Sequence, residues 1–166
     1  MEQRSLIEGI GSGTFGRIVM ARIPIGSDLL DSIFEMVRRE KIRKGLILMG
    51  IGALQKAVFR NLRVFPQEYP VAPKDRLYFE VHRPLELLSL TGYIVPRGNG
   101  EAYVHAHFSA STVIGDTPAT YGGHLDQGTI TFVKAAVVIG ELEGIEMGKK
   151  WVEERKTEDL WVGLKT

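Results

Sequence analysis

One stretch of this chain, and only one, carries apolar residues at strong helical spacing. Leu29, Leu30, Ile33, Phe34 and Val37 fall on one face, with Asp31, Glu35 and Arg38 between them. That spacing predicts an amphipathic helix with a single core-facing side. Ser27 or Asp28 can cap its free N–H groups, and Gly45 can take a left-handed stop position. The flanking sequence reads as strands. Residues 17–23, 46–51, 56–64, 85–95, 102–109 and 129–139 are short apolar or alternating runs bounded by Gly, Pro, Asn or Asp. A chain with one helix among six or seven strands has no regular β-α-β alternation. The expected fold is therefore α+β, with a mainly antiparallel sheet and one principal helix.

Finer features follow from residue chemistry. Gly50, Gly52 and Ala53 thin the end of the 46–51 run, so another backbone can approach there. Pro66, Pro70 and Pro73 predict an irregular loop, because proline donates no ladder bond. The tail, 149–156, is charged and reads as helical or irregular, with Trp151, Leu160 and Trp161 expected to dock it onto the body. Gly11, Gly13 and Gly16 satisfy G-x-G-x-x-G, but a strand rather than a helix follows them. A dinucleotide fold needs the reverse order, and no kinase signature accompanies the loop. The expectation is a flexible lead into the first strand and no nucleotide cofactor.

Composition bounds the function. The 166 residues, 44% hydrophobic, suffice for one domain with its own core. We expect a single domain over 1–166, its core at about 16–143 and a segment 144–166 packing on it. Twenty-one basic and 20 acidic side chains leave a net charge of +1. That balance argues against a strongly basic nucleic-acid binder. The chain has no cysteine, which removes thiolate metal sites and a Cys nucleophile. No apolar leader opens the sequence, and no apolar run approaches a membrane span. A soluble, cytoplasmic protein without a membrane partner is expected. The local exception is Arg38, Arg39, Lys41, Arg43 and Lys44 at the helix end. This is either a solvated terminus that complements the helix dipole or a weak, salt-sensitive nucleic-acid contact.

The chemistry-bearing signal is a set of histidines. The chain has four: His82, His105, His107 and His124. His105 and His107 lie two apart in a predicted strand, so both imidazoles face the same side, about 6–7 Å apart along the backbone. His124 follows Gly122 and Gly123, which permit close approach of what reads as a separate loop. Three neutral imidazoles can hold Zn²⁺ or a similar divalent ion and leave one position open. Asp126, Glu86 or Ser109 could orient the rings by hydrogen bonds. His82 reads as a half-exposed loop residue without a partner.

These residues carry a resemblance. Pro24-Ile25-Gly26-Ser27-Asp28-Leu29 resembles the helix start of the PPC family, the plants and prokaryotes conserved domain. Gly50-Ile51-Gly52-Ala53-Leu54 is similar to its G-x-G-A-L strand end, and Leu85-Glu86-Leu87-Leu88-Ser89-Leu90-Thr91-Gly92 to its F-E-I-L-S-L-S-G stretch. His105-Ala106-His107 and Gly122-Gly123-His124-Leu125 match its two histidine motifs, and the pieces fall in the family's order over residues 16–143. The resemblance implies a homotrimer of antiparallel α+β domains. The fold is also similar to that of acetolactate decarboxylase, where an H-x-H pair and a third histidine hold zinc. That likeness strengthens the expectation of metal at His105, His107 and His124 but transfers no reaction. Two departures stand out. The AT-hook of plant members is missing, and Arg83-Pro84 replaces the family's Gly-Arg before the F-E-I-L stretch.

Three functions remain. One is a DNA-associated or regulatory trimer, resting on the family's link to DNA in plants. The second is a metal-dependent enzyme or small-molecule-binding protein, with Glu86 a candidate acid or base and Tyr121 a candidate donor. The third is a structural role, the histidines organising loops at a subunit boundary. The apolar 46–51 and 129–139 runs would suit such packing.

Overall fold

The structure is a computed structural model and describes residues 6–163. Residues 1–5, where a leader would begin, and residues 164–166 lie outside the described residues. The helix forms as its spacing demands. Asp28 accepts the Asp31 N–H at 3.0 Å, and helix α1 then runs over Leu29–Arg39. Leu29, Ile33, Met36 and Val37 are buried, whereas Phe34 stays 37% exposed at the edge of the apolar face. The helix stops at Lys41, which takes φ 55°. Gly45 is instead the buried first residue of the next strand.

Among the described residues nine strands follow the chain: β1 (Thr14–Pro24), β2 (Gly45–Leu62), β3 (Arg76–Val81), β4 (Leu85–Pro96), β5 (Ala102–Ile114), β6 (Thr117–Leu125), β7 (Ile130–Glu143), β8 (Met147–Val152) and β9 (Thr157–Val162). Among the described residues all strand pairs are antiparallel, and with one α-helix there the fold is α+β. The main sheet runs β1-β7-β2-β4-β5-β6, with β3 on the far half of β2. It then curls so that β6 returns to β2, placing Arg60 opposite His124.

Four local expectations change. The 46–51 and 56–64 runs are one 18-residue strand, β2, not two. Register shifts after Gly52 and Leu54 let it bend and continue rather than end. The expected thinness is there, since a Cβ on Gly52 would lie 2.4 Å from the Lys134 carbonyl oxygen. Strands β3 and β6 form where loop was expected. The tail is a hairpin, β8–β9, turning through Glu153–Arg155. Its docking residue is the buried Met147, while Trp151 is 56% exposed and Leu160 and Trp161 are also exposed. The glycine lead is a close contact, because a Cβ on Gly13 would meet the Glu143 carbonyl oxygen at 2.2 Å.

The core lies between α1 and the concave side of the sheet. Phe59 stacks on Phe108 at 4.4 Å with an 8° interplanar angle. Thr129 and Thr131, both buried, tie α1 to β2 and β1. The Thr129 hydroxyl accepts the Val58 N–H, and the Thr131 hydroxyl donates to the Pro24 carbonyl. Arg83 and Pro84 pin the start of β4 to β5: Arg83 donates to the Val113 carbonyl, and Pro84 accepts from the Thr112 hydroxyl. Among the described residues no helix is long and apolar enough to cross a membrane.

Candidate metal centre

Strand alternation sorts β5 into two faces. Val104, Ala106, Phe108 and Ala110 are buried in the core, so Tyr103, His105, His107 and Ser109 face the other way. The third histidine is brought in by a turn. Ile114 pairs with Thr117 across Gly115-Asp116, and Gly115 takes φ 60°. A two-residue loop with glycine first in a left-handed conformation sets hairpin register. Seven residues back from Ile114 and seven on from Thr117, His107 pairs directly with His124. His124 thus comes from a strand, not from the separate loop expected. Gly122 and Gly123 belong to that strand, where the Asn61 side chain donates to the Gly122 carbonyl at 2.9 Å.

The rings converge. His105 and His107 place their Nε2 atoms 3.1 Å apart. Ring centroids are 4.8 Å apart for His105 and His124 and 4.0 Å for His107 and His124. One ligand nitrogen from each ring lies within 4.8 Å of the others. Bonds of about 2.0–2.1 Å in a tetrahedral zinc site put neighbouring donors roughly 3.3 Å apart. The 3.1 Å pair meets that spacing, and with all three nitrogens within 4.8 Å of one another the donor set suits a divalent ion.

Tyrosines hold the cluster. The Tyr93 ring stacks on His105 at 5.0 Å and 4°, and the Tyr103 hydroxyl lies 3.4 Å from His105 Nδ1. Contact at Nδ1 leaves Nε2 for the shared point. The surroundings keep the rings neutral. Burial, then His107, Arg60, His105 and Arg76, push His124 down to about 4. Burial and neighbouring cations also lower His105 and His107. A neutral imidazole is the form that ligates metal.

The other candidates lie elsewhere. Glu86 is exposed on β4 and pairs with Ser111, well along the hairpin from the Thr91–His107 pair. Tyr121 faces the opposite side, packed 5.2 Å from Phe79 in the aromatic core. Among the described residues no hydrogen bond joins Asp126, Glu86 or Ser109 to a histidine ring. Asp126 caps the Gln127 N–H and faces Arg60, and Ser109 bonds Ser89 at 2.8 Å. His82 does have a partner, Glu80, at 2.9 Å. At the helix end Arg38 and Arg39 both bond Glu35, and Lys44 donates to the Ile145 carbonyl at 2.6 Å. Tyr93, Tyr103 and Arg60 were not anticipated. The signal for Tyr103 was the two-residue period through His105 and His107; Tyr93 and Arg60 needed cross-strand register.

Known proteins share these features. The bifunctional protein GlmU of Synechococcus sp. (strain JA-3-3Ab) is 27% identical over 125 residues, 75% of this chain but 17% of that protein. The chain thus spans under a fifth of the curated relatives it matches. A plant- and prokaryote-conserved protein of Pyrococcus horikoshii superposes with a TM-score of 0.71 at 28% identity, covering 97% of this chain and all of that one. A metal-containing protein of Archaeoglobus fulgidus gives 0.71 at 24% identity, covering 92% and 98%. A Bacteroides thetaiotaomicron protein provisionally described as DNA-binding gives 0.69 at 18% identity, covering 90% and 96%. Residues 10–143, which include all three clustered histidines, match the Plants and Prokaryotes Conserved (PCC) domain, and the chain belongs to that family.

Proposed function

We propose that this PCC-domain protein binds a divalent metal, zinc by donor chemistry, through His105, His107 and His124. The observation that carries the reading is the convergence of three neutral imidazoles from two paired strands. The A. fulgidus fold neighbour, described as metal-containing, agrees with it. A three-histidine zinc ion supplies a Lewis acid with one open position. The chain's own residues set what happens around it. Tyr93 and Tyr103 fix the His105 ring, and burial withholds the competing proton. A catalytic role would draw on residues of the adjoining pocket, since Glu86 and Tyr121 stand apart from the rings. Elemental analysis of protein purified without chelator tests the reading. One zinc per chain, lost in both His105→Ala and His124→Ala, is the expected result; full metal in both variants overturns it.

Self-association as a trimer belongs to the same proposal. Ile18, Met20, Met49 and Ile51 stand exposed on strands β1 and β2, which flank β7 on either side. Clustered apolar exposure of this kind marks an association surface, and copies of the same chain in closed symmetry would cover it. Light scattering at micromolar concentration should give the trimer mass. DNA contact is the second reading, favoured by the described role of the B. thetaiotaomicron neighbour. It would run through Arg38, Arg39, Lys41, Arg43 and Lys44, non-specifically and weakening steeply with salt. A mobility shift of AT-rich duplex at low salt tests it, and an unshifted band removes it.

A further inference from the structure

The histidine cluster opens on a cavity of about 500 Å³, within the range of small-molecule sites. One wall is the face of β2, β5 and β6; the other is the β8–β9 hairpin, which lies outside the family-matched residues. The charges around this cavity are unbalanced. Arg155 is paired with Asp159. Arg60, Arg76 and Lys149 are not matched so closely. The nearest carboxylate oxygen to Arg60 is that of Asp126 at 3.8 Å, beyond hydrogen-bond range. Arg76 reaches the Val71 carbonyl at 3.4 Å. Lys149 holds its ammonium 4.5 Å over the Tyr103 ring. Three cations thus border the His105 and His124 imidazoles along this lining. The lining sets four cations, Arg60, Arg76, Lys149 and Arg155, against two carboxylates, Glu158 and Asp159, and a cleft with a net positive charge concentrates anions. Between the cations the walls are apolar and aromatic, from Leu62, Tyr69, Pro70, Tyr93 and Tyr103.

We infer that this cavity binds a small organic acid, its oxyanion (carboxylate or phosphate ester) held by Arg60, Arg76 and Lys149 and its apolar or aromatic body lying along the tyrosine wall. Guanidinium forks suit planar carboxylates and phosphates alike. The site deepens the metal reading, because His105 and His124 line the same cavity, yet the three cations can hold the acid without the ion. The hairpin, through Lys149, then contributes to the choice of ligand.

Calorimetric titration tests the proposal on full-length protein, zinc-loaded and metal-free. The probes are benzoate, phenyl phosphate, inorganic phosphate and neutral benzamide. At least one aromatic acid should bind one per chain, about tenfold or more tighter than benzamide. Phenyl phosphate binding tighter than inorganic phosphate would show that the aromatic wall contributes. Inorganic phosphate equalling it would overturn the organic-body half of the proposal. Arg60→Gln and Lys149→Gln should each weaken the acid by about tenfold. Lys149 stands on the outlying hairpin, so its variant tests the site even if the Arg60 variant folds poorly. Zinc content is read separately. Acid binding by wild type that retains no zinc sinks the metal reading and keeps this one. Zinc retained with benzamide matching both acids, or with both variants binding as wild type does, overturns this one and keeps the metal.

Discussion

At the end of α1, Arg38 and Arg39 both close on the carboxylate of Glu35. On the β5–β6 face, three imidazoles meet with Arg60 and Lys149 nearby, and no carboxylate among the described residues hydrogen-bonds a ring. Both regions are rich in nitrogen bases, but only in the first does a carboxylate of the same element hydrogen-bond them. Surface pairs at i+3 and i+4 form readily and contribute little. Imidazoles gathered in a half-buried place beside cations are held neutral at a free-energy cost, which a metal or anion would relieve. The contrast says where a ligand belongs.

The hardest test of it removes one ring. His107→Ala should weaken zinc by more than about a hundredfold, since even residues that only orient a ligand typically cost 10- to 100-fold. Competition against a chromogenic chelator measures this. Arg39→Ala in the same assay should change nothing. Equal zinc affinity in both variants would erase the distinction between the regions. Next comes Gly92→Ala. A Cβ there would sit 2.1 Å from the His105 carbonyl oxygen and 2.9 Å from Ala106 Cα. The neighbouring strand must move, at about 1–3 kcal/mol. Thermal unfolding should fall by roughly 2–4 °C per kcal/mol, and zinc affinity should fall with it because β5 carries His105. A variant that melts lower yet keeps full zinc affinity would show that the rings tolerate a shifted strand.

How much of this was legible follows the same divide. The helix, its Asp28 cap and the shared face of His105 and His107 were open to sequence reading because each depends on residues within a few positions. His124 was legible as a participant but not as a strand residue. Gly122 and Gly123 look like loop by propensity, and only pairing with β5 and Asn61 makes them strand. The turn at Gly115-Asp116 carried enough information to place His124 opposite His107 by counting. Strand β2 was split at its glycines because a bulge and a chain end look alike in one dimension. The hairpin β8–β9 was hidden by its charges, with little apolar periodicity to report a strand. Glu86 and Tyr121 were chosen by residue type, and register puts one far along β4 from the rings and the other on the core face.

Acid should separate the two regions by pH. Burial lowers all three clustered histidines from 6.5, His124 to about 4. As pH falls below 6.5 the unfolded chain therefore takes up protons first. The stability associated with neutral rings is complete above that value and is lost as pH drops through the folded values. Glu35 is held below 4.5 by Arg38 and Arg39, so its contribution persists until the solution is more acid. Between pH 6.5 and 5 the melting temperature of metal-free protein should decline through the histidines and not through the helix end. His124→Gln should flatten that decline, and an unchanged slope would place the acid sensitivity elsewhere.

The smallest effect belongs to Glu35→Gln. Glu35 is solvent-exposed with its partners, so its loss should leave the melting temperature nearly unchanged. It would, however, free two guanidiniums beside Lys41 and Arg43. If wild-type Arg38 and Arg39 are silent toward nucleic acid because Glu35 holds them, the variant should retain AT-rich duplex better at low salt, with the gain vanishing as salt rises. If wild type already binds duplex and the variant does not improve on it, Glu35 does not restrain these cations. The helix end would then be a working contact surface, and its contrast with the histidine face would concern the kind of ligand rather than its presence.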